Sequence, residues 1–334
     1  MCLMSLALDL NSRFPFVLAA NRDEYLNRPS ARLGWWEMPG QPAILGGRDL
    51  QAGGTWLGLT ALGRLGLLTN FRHPHKAEDQ APSRGEIVPH WLKGDKPMQT
   101  LWPQLAMGGY NGFNLVALDF SEGDCFWLSN TANHPQRLEK GIHGLSNGHL
   151  NEPWPKVTQV KARTKSAVTQ ASSLDDLSMR LFEALADPTV APDAELPSTG
   201  LSLDHERIHS PAFVRTSDGA YGTRCSTLVI TERVNKRLVT HVLERTYTAG
   251  SRMALLRRVT LKNWPPRHTA SLEQLAKLDQ SLTPAGMRHE PRPDDHFESS
   301  DVQEQDDHAL TPVAAKKTRA RSLIKPAGNK RPVG

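Results

Sequence analysis

The 334-residue chain is poor in three things, and each absence excludes a class. It has only 3 cysteines, too few for a disulfide-stapled scaffold, so the expected setting is a reducing, cytoplasmic one. It has no apolar run near the ~18–20 residues of a membrane span, so no membrane span is expected. It has no secretory leader by pattern, since no basic segment precedes the first apolar run and Asp9, Asn11 and Arg13 interrupt it early. Aromatic residues make up just 6%, although 8 of them are tryptophans. The glycine pairs show no phosphate-loop spacing, which argues against P-loop nucleotide binding. His73-Pro74-His75 is a weak metal candidate without a supporting Cys or carboxylate cluster, and a surface loop is the preferred reading.

What is present is a basic excess, and its location matters. The net charge is +5 and the isoelectric point about 9.1. Residues 290–315 carry eight acids against Arg292, and residues 316–334 carry seven bases and no acid, so this stretch is neutral as a whole. Residues 1–289 hold the +5, as 32 bases against 27 acids, which is modest for a nucleic-acid binder. No specific nucleic-acid partner is expected. Few large apolar residues occur after 285, so residues 285–334 read as a disordered tail and residues 1–284 as one domain. The basic end of that tail could touch nucleic acid or anionic lipid; a solubilising role is the simpler reading.

Along residues 1–284 the pattern is strands, helices, strands, helices, strands. Cys2–Leu8 and Phe14–Ala20 read as a hairpin, and residues 55–60 and 64–70 as a second. Gly46-Gly47 and Gly53-Gly54 read as tight turns. Ser83-Arg84-Gly85-Glu86 has capping-box spacing before a helix, and a second helix is expected over Met98–Met107. Strands follow at Phe113–Asp119, Cys125–Ser129 and Ile142–Ser146. Residues 156–186 read as two helical pieces and 187–200 as a loop, before strands at Ser226–Thr231 and Arg237–Arg245. This order predicts an α+β fold of antiparallel sheets with helices on their outer faces.

Cys2 is the first candidate for chemistry. A small second residue permits removal of Met1, which would expose an α-amine of pKa near 7.7–8.0 beside the thiol it can activate. The plain alternative is a small apolar residue in an edge strand. Asn21-Arg22-Asp23-Glu24 follows the second strand and is either a surface turn or a charged cluster held near Cys2. Cys125 reads as core, and so does Cys225, although it follows Arg224. Trp35 and Trp36 lie in a Pro/Gly-rich loop, where they line a pocket or pin the loop.

Taken together, Met1-Cys2 and Asn21-Arg22-Asp23-Glu24-Tyr25 resemble the NRDE family, also called the transport and Golgi organisation protein 2 family. Further matches run in order through Gly46-Gly47-Arg48-Asp49, residues 53–58, Thr69-Asn70-Phe71-Arg72, Ser83-Arg84-Gly85, residues 112–115, Leu145-Ser146-Asn147 and Tyr221-Gly222-Thr223-Arg224. The resemblance covers residues 1 to about 247. It implies the four-layered αββα fold of N-terminal nucleophile hydrolases, whose relatives in outline include penicillin V acylase and bile salt hydrolase. Carried over, Cys2 is nucleophile and base, Asp23 holds the α-amine, Asn70 and Asn147 donate to an oxyanion, and Arg224 neutralises charge near the thiol. Arg22, Trp35, Trp36 and Arg72 are the implied ligand contacts.

Two functions stay open on this resemblance. One is a cysteine amidohydrolase acting on an acylated or anionic amphipathic small molecule, with no cofactor required. The other is a non-catalytic carrier of haem, acyl-CoA or lipid, with haem as a possible ligand. The chain departs from the acylase pattern in one respect: Arg22 and Asp23 are adjacent, so in an extended strand they point to opposite faces.

Overall fold

A computed structural model describes residues 2–72, 78–248, 250 and 252–266. The domain boundary at 284, the tail and His73-Pro74-His75 lie outside these residues. In chain order the elements are β1 (Cys2–Leu8), β2 (Phe16–Tyr25), β3 (Ser30–Trp36), β4 (Ile44–Asp49), β5 (Leu57–Thr60), β6 (Arg64–Asn70), α1 (Ile87–Leu92), α2 (Met98–Ala106), β7 (Phe113–Asp119), β8 (Asp124–Ser129), β9 (Gln136–Arg137), β10 (Gly141–Leu145), α3 (Pro155–Gln170), α4 (Leu174–Leu185), α5 (Leu203–Ile208), β11 (Tyr221–Val234), β12 (Arg237–Tyr247) and β13 (Met253–Lys262). A six-stranded sheet has the order β10-β1-β2-β11-β12-β13, and a seven-stranded sheet runs β3 to β9 in sequence order. Every pairing in both is antiparallel.

Alternation along each strand assigns the layers. Met4, Leu6, Leu18 and Ala20 meet Leu45, Leu57, Leu65 and Leu67 in a core between the sheets. The opposite face of the first sheet, with Leu3, Ala7, Val17 and Ala19, packs on α3 and α4. The outer face of the second sheet packs on α1 and α2 through Ile44, Leu68, Leu115, Val88 and Trp91. The fold is α+β with helix, sheet, sheet and helix layers, as expected. Among the described residues no helix is long and apolar enough to cross a membrane.

Local chemistry explains several of the elements. Pro155 opens α3 at the position where a missing N–H costs nothing. Ser173 caps α4 by accepting from the Asp176 N–H, and Leu177, Leu181, Phe182 and Leu185 form its buried stripe. Ser83 accepts from the Gly85 N–H, so it caps a 3-10 turn at Arg84–Glu86 that leads into α1. The reciprocal arm of a capping box is absent, because Glu86 accepts from the Tyr110 hydroxyl instead.

Three sequence expectations are corrected. β2 does not stop at Ala20 but runs to Tyr25, and Asn21, Arg22 and Asp23 are buried in it instead of forming a surface turn. Trp35 and Trp36 belong to β3, not to a loop. Gly46 and Gly47 lie in β4, where they allow close packing: a Cβ would come within 2.4 Å of Leu57 O at Gly46 and 2.3 Å of the Trp56 ring at Gly47. Only Gly53, with φ +80°, is a turn glycine among these four. β13 was not foreseen at all, because its half-buried, charge-interrupted run lacks a clean alternation.

One cross-sheet clasp fixes β3 over the first sheet. A bulge between Ala31 and Gly34 takes Leu33 out of the ladder. Its N–H instead donates to Glu244 at 2.7 Å, and its carbonyl accepts from Arg257 at 2.8 Å. The register of β12 and β13 pairs Glu244 with Arg257, so both groups reach Leu33 from one place.

Candidate active site

Cys2 heads β1 and stands in register opposite Arg22 of β2. Directly opposed residues share a face, and this is the inter-sheet face of Met4 and Ala20. On the other side, β10 pairs with β1 as far as Met4–Leu145, and Ser146 and Asn147 follow just past its end. Cys2 therefore has Arg22 opposite it on one side and the Ser146-Asn147 step after β10 on the other.

A set of hydrogen bonds holds this corner. Ser146 Oγ donates to the Cys2 carbonyl at 3.0 Å, and Thr69 Oγ1 donates to the Ser146 carbonyl at 2.7 Å. Asn147 Nδ2 donates to the Asn70 carbonyl at 2.8 Å, and the Arg72 N–H donates to the Asn147 carbonyl at 2.6 Å. These bonds tie the end of β6 in one sheet to the end of β10 in the other. One of the two Nδ2 hydrogens of Asn147 is used in this way. Asn70 contributes differently from expectation. Alternation along β6 puts Leu65, Leu67 and Thr69 on the inter-sheet face and Asn70 on the other, so it is its carbonyl that enters the cluster.

Asp23 lies on the helix-facing side of β2, opposite to Arg22, as strand alternation requires. Thr223 Oγ1 donates to its carboxylate at 2.7 Å, and the Tyr221 hydroxyl donates to its carbonyl at 3.0 Å. Burial pushes the Asp23 carboxyl above its ordinary range, against the pull of Lys156, Thr223 and Arg22. Burial likewise pushes the Cys2 thiol up; Asp23 adds to that rise and Arg22 opposes it. Both charges therefore act on Cys2, one from each face of the sheet.

The remaining family residues play distinct parts. Asn21 donates to the carbonyls of Leu185 and Ala212, both at 2.8 Å, and accepts from Ser226, which fastens α4 to the sheet. Arg224 sits inside β11 at a bulge, not just before the strand. Its guanidinium donates to the carbonyls of Tyr25 and Arg28 at 2.7 and 2.9 Å. Trp35 is buried in the inter-sheet core, and Trp36 donates to the Gly46 carbonyl beneath Arg48, so both pin β3 to its surroundings. Cys125 is core, with its thiol pushed up by burial to about 12.

On the helix side, Lys156 and Glu206, which sequence reading missed, surround Arg72, which the resemblance implies as a ligand contact. Lys156 of α3 is buried, donates to the His209 carbonyl at 2.8 Å, and is lowered by burial to about 8. Asp23 and Cys2 both support its charge, and Arg72 opposes it. Arg72 pairs with Glu206 of α5 at 2.6 Å and lies over the Trp154 ring. Arg84, held by the Gly112 carbonyl at 3.0 Å, feels the charges of Glu24 and Cys2. Its place depends on Gly54, where a Cβ would lie 2.1 Å from Gly85 O. The signal was in the sequence, since Ser83-Arg84-Gly85 and Gly53-Gly54 are both family segments.

A family model described as Transport and Golgi organisation 2 matches residues 1–249. The chain belongs to this family. The mouse Transport and Golgi organization 2 homolog is 35% identical over 231 residues, which is 66% of this chain and 83% of the relative. The human homolog is 34% identical over the same shares. Among solved structures, the C2A mutant of conjugated bile acid hydrolase from Clostridium perfringens matches with a TM-score of 0.45 and 9% identity. It covers 78% of this chain and 92% of that one, a likeness too distant to bear on chemistry.

Within this member of the Transport and Golgi organisation 2 family, the cations around the corner have a testable consequence. Burial, then Arg72 and Lys156, lower His209 to about 3, so it stays neutral in the folded state. An unfolded chain takes that proton near 6.5. The unfolded state thus binds more protons between pH 6.5 and 3, and stability falls as pH falls through this window. The stability of the wild-type chain relative to a His209→Gln variant is expected to drop between pH 7 and pH 4, read by chemical denaturation at each pH. A constant difference across that range rejects the assignment.

Among the described residues no group of three or more His, Cys, Asp and Glu is arranged to hold a metal ion.

Proposed function

We propose that the protein is a cysteine amidohydrolase of the N-terminal nucleophile type, acting on an acylated small molecule. The observation that carries this reading is the position of Cys2. It leads its strand opposite Arg22, with Ser146 bonded to its carbonyl and the Asn147 amide tied to the same corner, while the buried carboxylate of Asp23 lies on the other face. A thiol raised by burial is protonated at neutral pH and needs a base. After removal of Met1, the α-amine of Cys2 is that base, with an ordinary pKa of about 7.7–8.0.

In this mechanism the Cys2 sulfur attacks the amide carbonyl and its proton passes to the α-amine. The oxyanion accepts the second Nδ2 hydrogen of Asn147, whose orientation is fixed through the Asn70 carbonyl. Such a donor contributes roughly 2.7–4 kcal/mol. Collapse expels the amine, which takes the proton from the α-ammonium. Water, deprotonated by the α-amine of Cys2, then attacks the thioester, the acid leaves, and the α-ammonium returns its proton to the Cys2 sulfur. Asp23 holds the ammonium form, and Arg22 favours the thiolate through its charge.

Two measurements test this. Intact-mass analysis of the purified protein is expected to show the chain lacking Met1. A β-lactone or similar acylating electrophile is expected to label one site, Cys2, with a rate that rises through the α-amine titration near pH 8. Quantitative retention of Met1, or labelling at Cys225 in place of Cys2, sinks the reading. Saturable ligand binding by an unlabelled protein would point instead to a carrier.

A further inference from the structure

The inter-sheet face that carries Cys2 continues sideways into a cavity. In register, the row runs Cys2, Arg22, Cys225 and Thr246 across β1, β2, β11 and β12. Past Arg22 this row borders a cavity of about 170 Å³, walled also by Trp56, Arg224, Glu244 and Tyr247. Trp56 stacks on the Arg22 guanidinium at 4.2 Å, so one wall is aromatic and another cationic.

Two polar atoms at this cavity are unsatisfied. Arg22 Nη1 and Thr246 Oγ1 are both buried with no hydrogen-bond partner among the described residues. Arg22 is only 5% exposed. Its Nη2 reaches Asp49 and Glu24 at 3.6 and 3.7 Å, beyond hydrogen-bond range. A buried guanidinium N–H left unmade is costly and rare in native proteins, so its partner has to be sought. A guanidinium only donates, and a hydroxyl beside it can donate as well, so the missing partner is an acceptor. Beside a cation, the acceptor that binds most strongly is an oxyanion, and the planar fork of arginine suits a carboxylate.

Two of the other groups around the cavity, Arg224 and Glu244, are already engaged. Arg224 is spent on the carbonyls of Tyr25 and Arg28. Glu244 accepts from the Leu33 N–H and from the Thr227 hydroxyl. Trp56 and Tyr247 leave apolar surface for the carbon skeleton next to the anionic group.

We propose that this cavity binds a carboxylate on Arg22 Nη1 and Thr246 Oγ1. Cys225 is two strands from Cys2, so the carboxylate lies roughly 10 Å from the nucleophilic sulfur at about 4.8 Å per strand. Substrates of the site are therefore amides carrying a carboxylate at about that distance from the scissile carbonyl. The distance to a reacting centre rests on the amidohydrolase reading, whereas carboxylate binding does not.

The test is calorimetric titration of the full chain with hexanoate and, separately, with inorganic phosphate, in the wild type and in Thr246→Val. Hexanoate is expected to bind saturably and more tightly than phosphate, and Thr246→Val to weaken it about tenfold, the worth of one hydrogen bond to a charged group. Because Oγ1 has no partner to lose, Thr246→Val is expected to melt no lower than the wild type. Equal hexanoate affinity in the two proteins, no saturable binding, or tighter binding of phosphate each overturns the proposal. Retained hexanoate binding with no labelling of Cys2 rejects the amidohydrolase and leaves the carboxylate site standing.

Discussion

Cys2→Ala is expected to reduce amide turnover by roughly four orders of magnitude or more while leaving the melting temperature nearly unchanged. The two halves of this result separate chemistry from packing. The thiol is half-buried at the head of β1, outside the apolar clusters that fill the sheet faces. Alanine keeps the strand, its pairing with Arg22, and the main-chain carbonyl that accepts from Ser146. Little stability is therefore at stake, since truncating one sulfur outside these clusters costs far less than emptying a core site. Turnover, by contrast, loses the atom that forms the covalent intermediate, and only positioning and the oxyanion donor remain. Cys225→Ala is the matched control. Its thiol is buried and pushed well up by that burial, so it should cost stability and leave labelling at Cys2 intact. A Cys2→Ala protein that keeps its turnover would return Cys2 to the role of a small strand residue.

Much of this corner was legible from sequence, and the part that was not has a physical reason. Alternation alone placed Arg22 and Asp23 on opposite faces, and the extension of β2 to Tyr25 makes that alternation real. Segments such as Leu145-Ser146-Asn147 and Thr69-Asn70 pointed to strand ends that do meet. Their hydrogen bonds could not be read, because they depend on register between two sheets. This is why Asn70 was assigned an amide donor when it supplies a carbonyl. In Tyr221-Gly222-Thr223-Arg224 the arginine drew attention as the charged member. A bulge at this point turns the strand, and Thr223 and Tyr221 are the residues that touch Asp23. Lys156 and Glu206 carry no local signal. A lysine one residue into a helix reads as solvated, and only the packing of α3 on β1 buries it. Trp56 was hidden in the same way: its ring fills the space left by Gly47, and that space belongs to a neighbouring strand.

The helix side of the site rests on charges that balance each other, and the second large effect is expected there. Glu206→Ala should destabilise the protein by about 3 kcal/mol, the lower end for breaking a buried ion pair from one side. The pair is short, at 2.6 Å, with side-chain exposures of 8% for Arg72 and 4% for Glu206. Burial already presses on the Arg72 charge, and Glu206 is the principal group opposing that pressure. Glu206 also accepts from the Thr199 N–H at 3.1 Å and from the Thr199 hydroxyl, so its loss frees the segment before α5. The effect reaches the chemistry through the main chain. The Arg72 N–H holds the Asn147 carbonyl at 2.6 Å, and Asn147 is the proposed oxyanion donor. Glu206→Ala is therefore expected to slow electrophile labelling of Cys2 as well as to lower the urea midpoint. Replacing both partners, as Arg72→Met with Glu206→Leu, removes the buried charges together and should recover most of the stability, because apolar side chains of similar size fill the same space without a desolvation cost. Urea denaturation of the wild type, the single and the double variant decides the matter. A double variant as unstable as Glu206→Ala would mean that the ion pair holds α5 by geometry that apolar packing cannot replace.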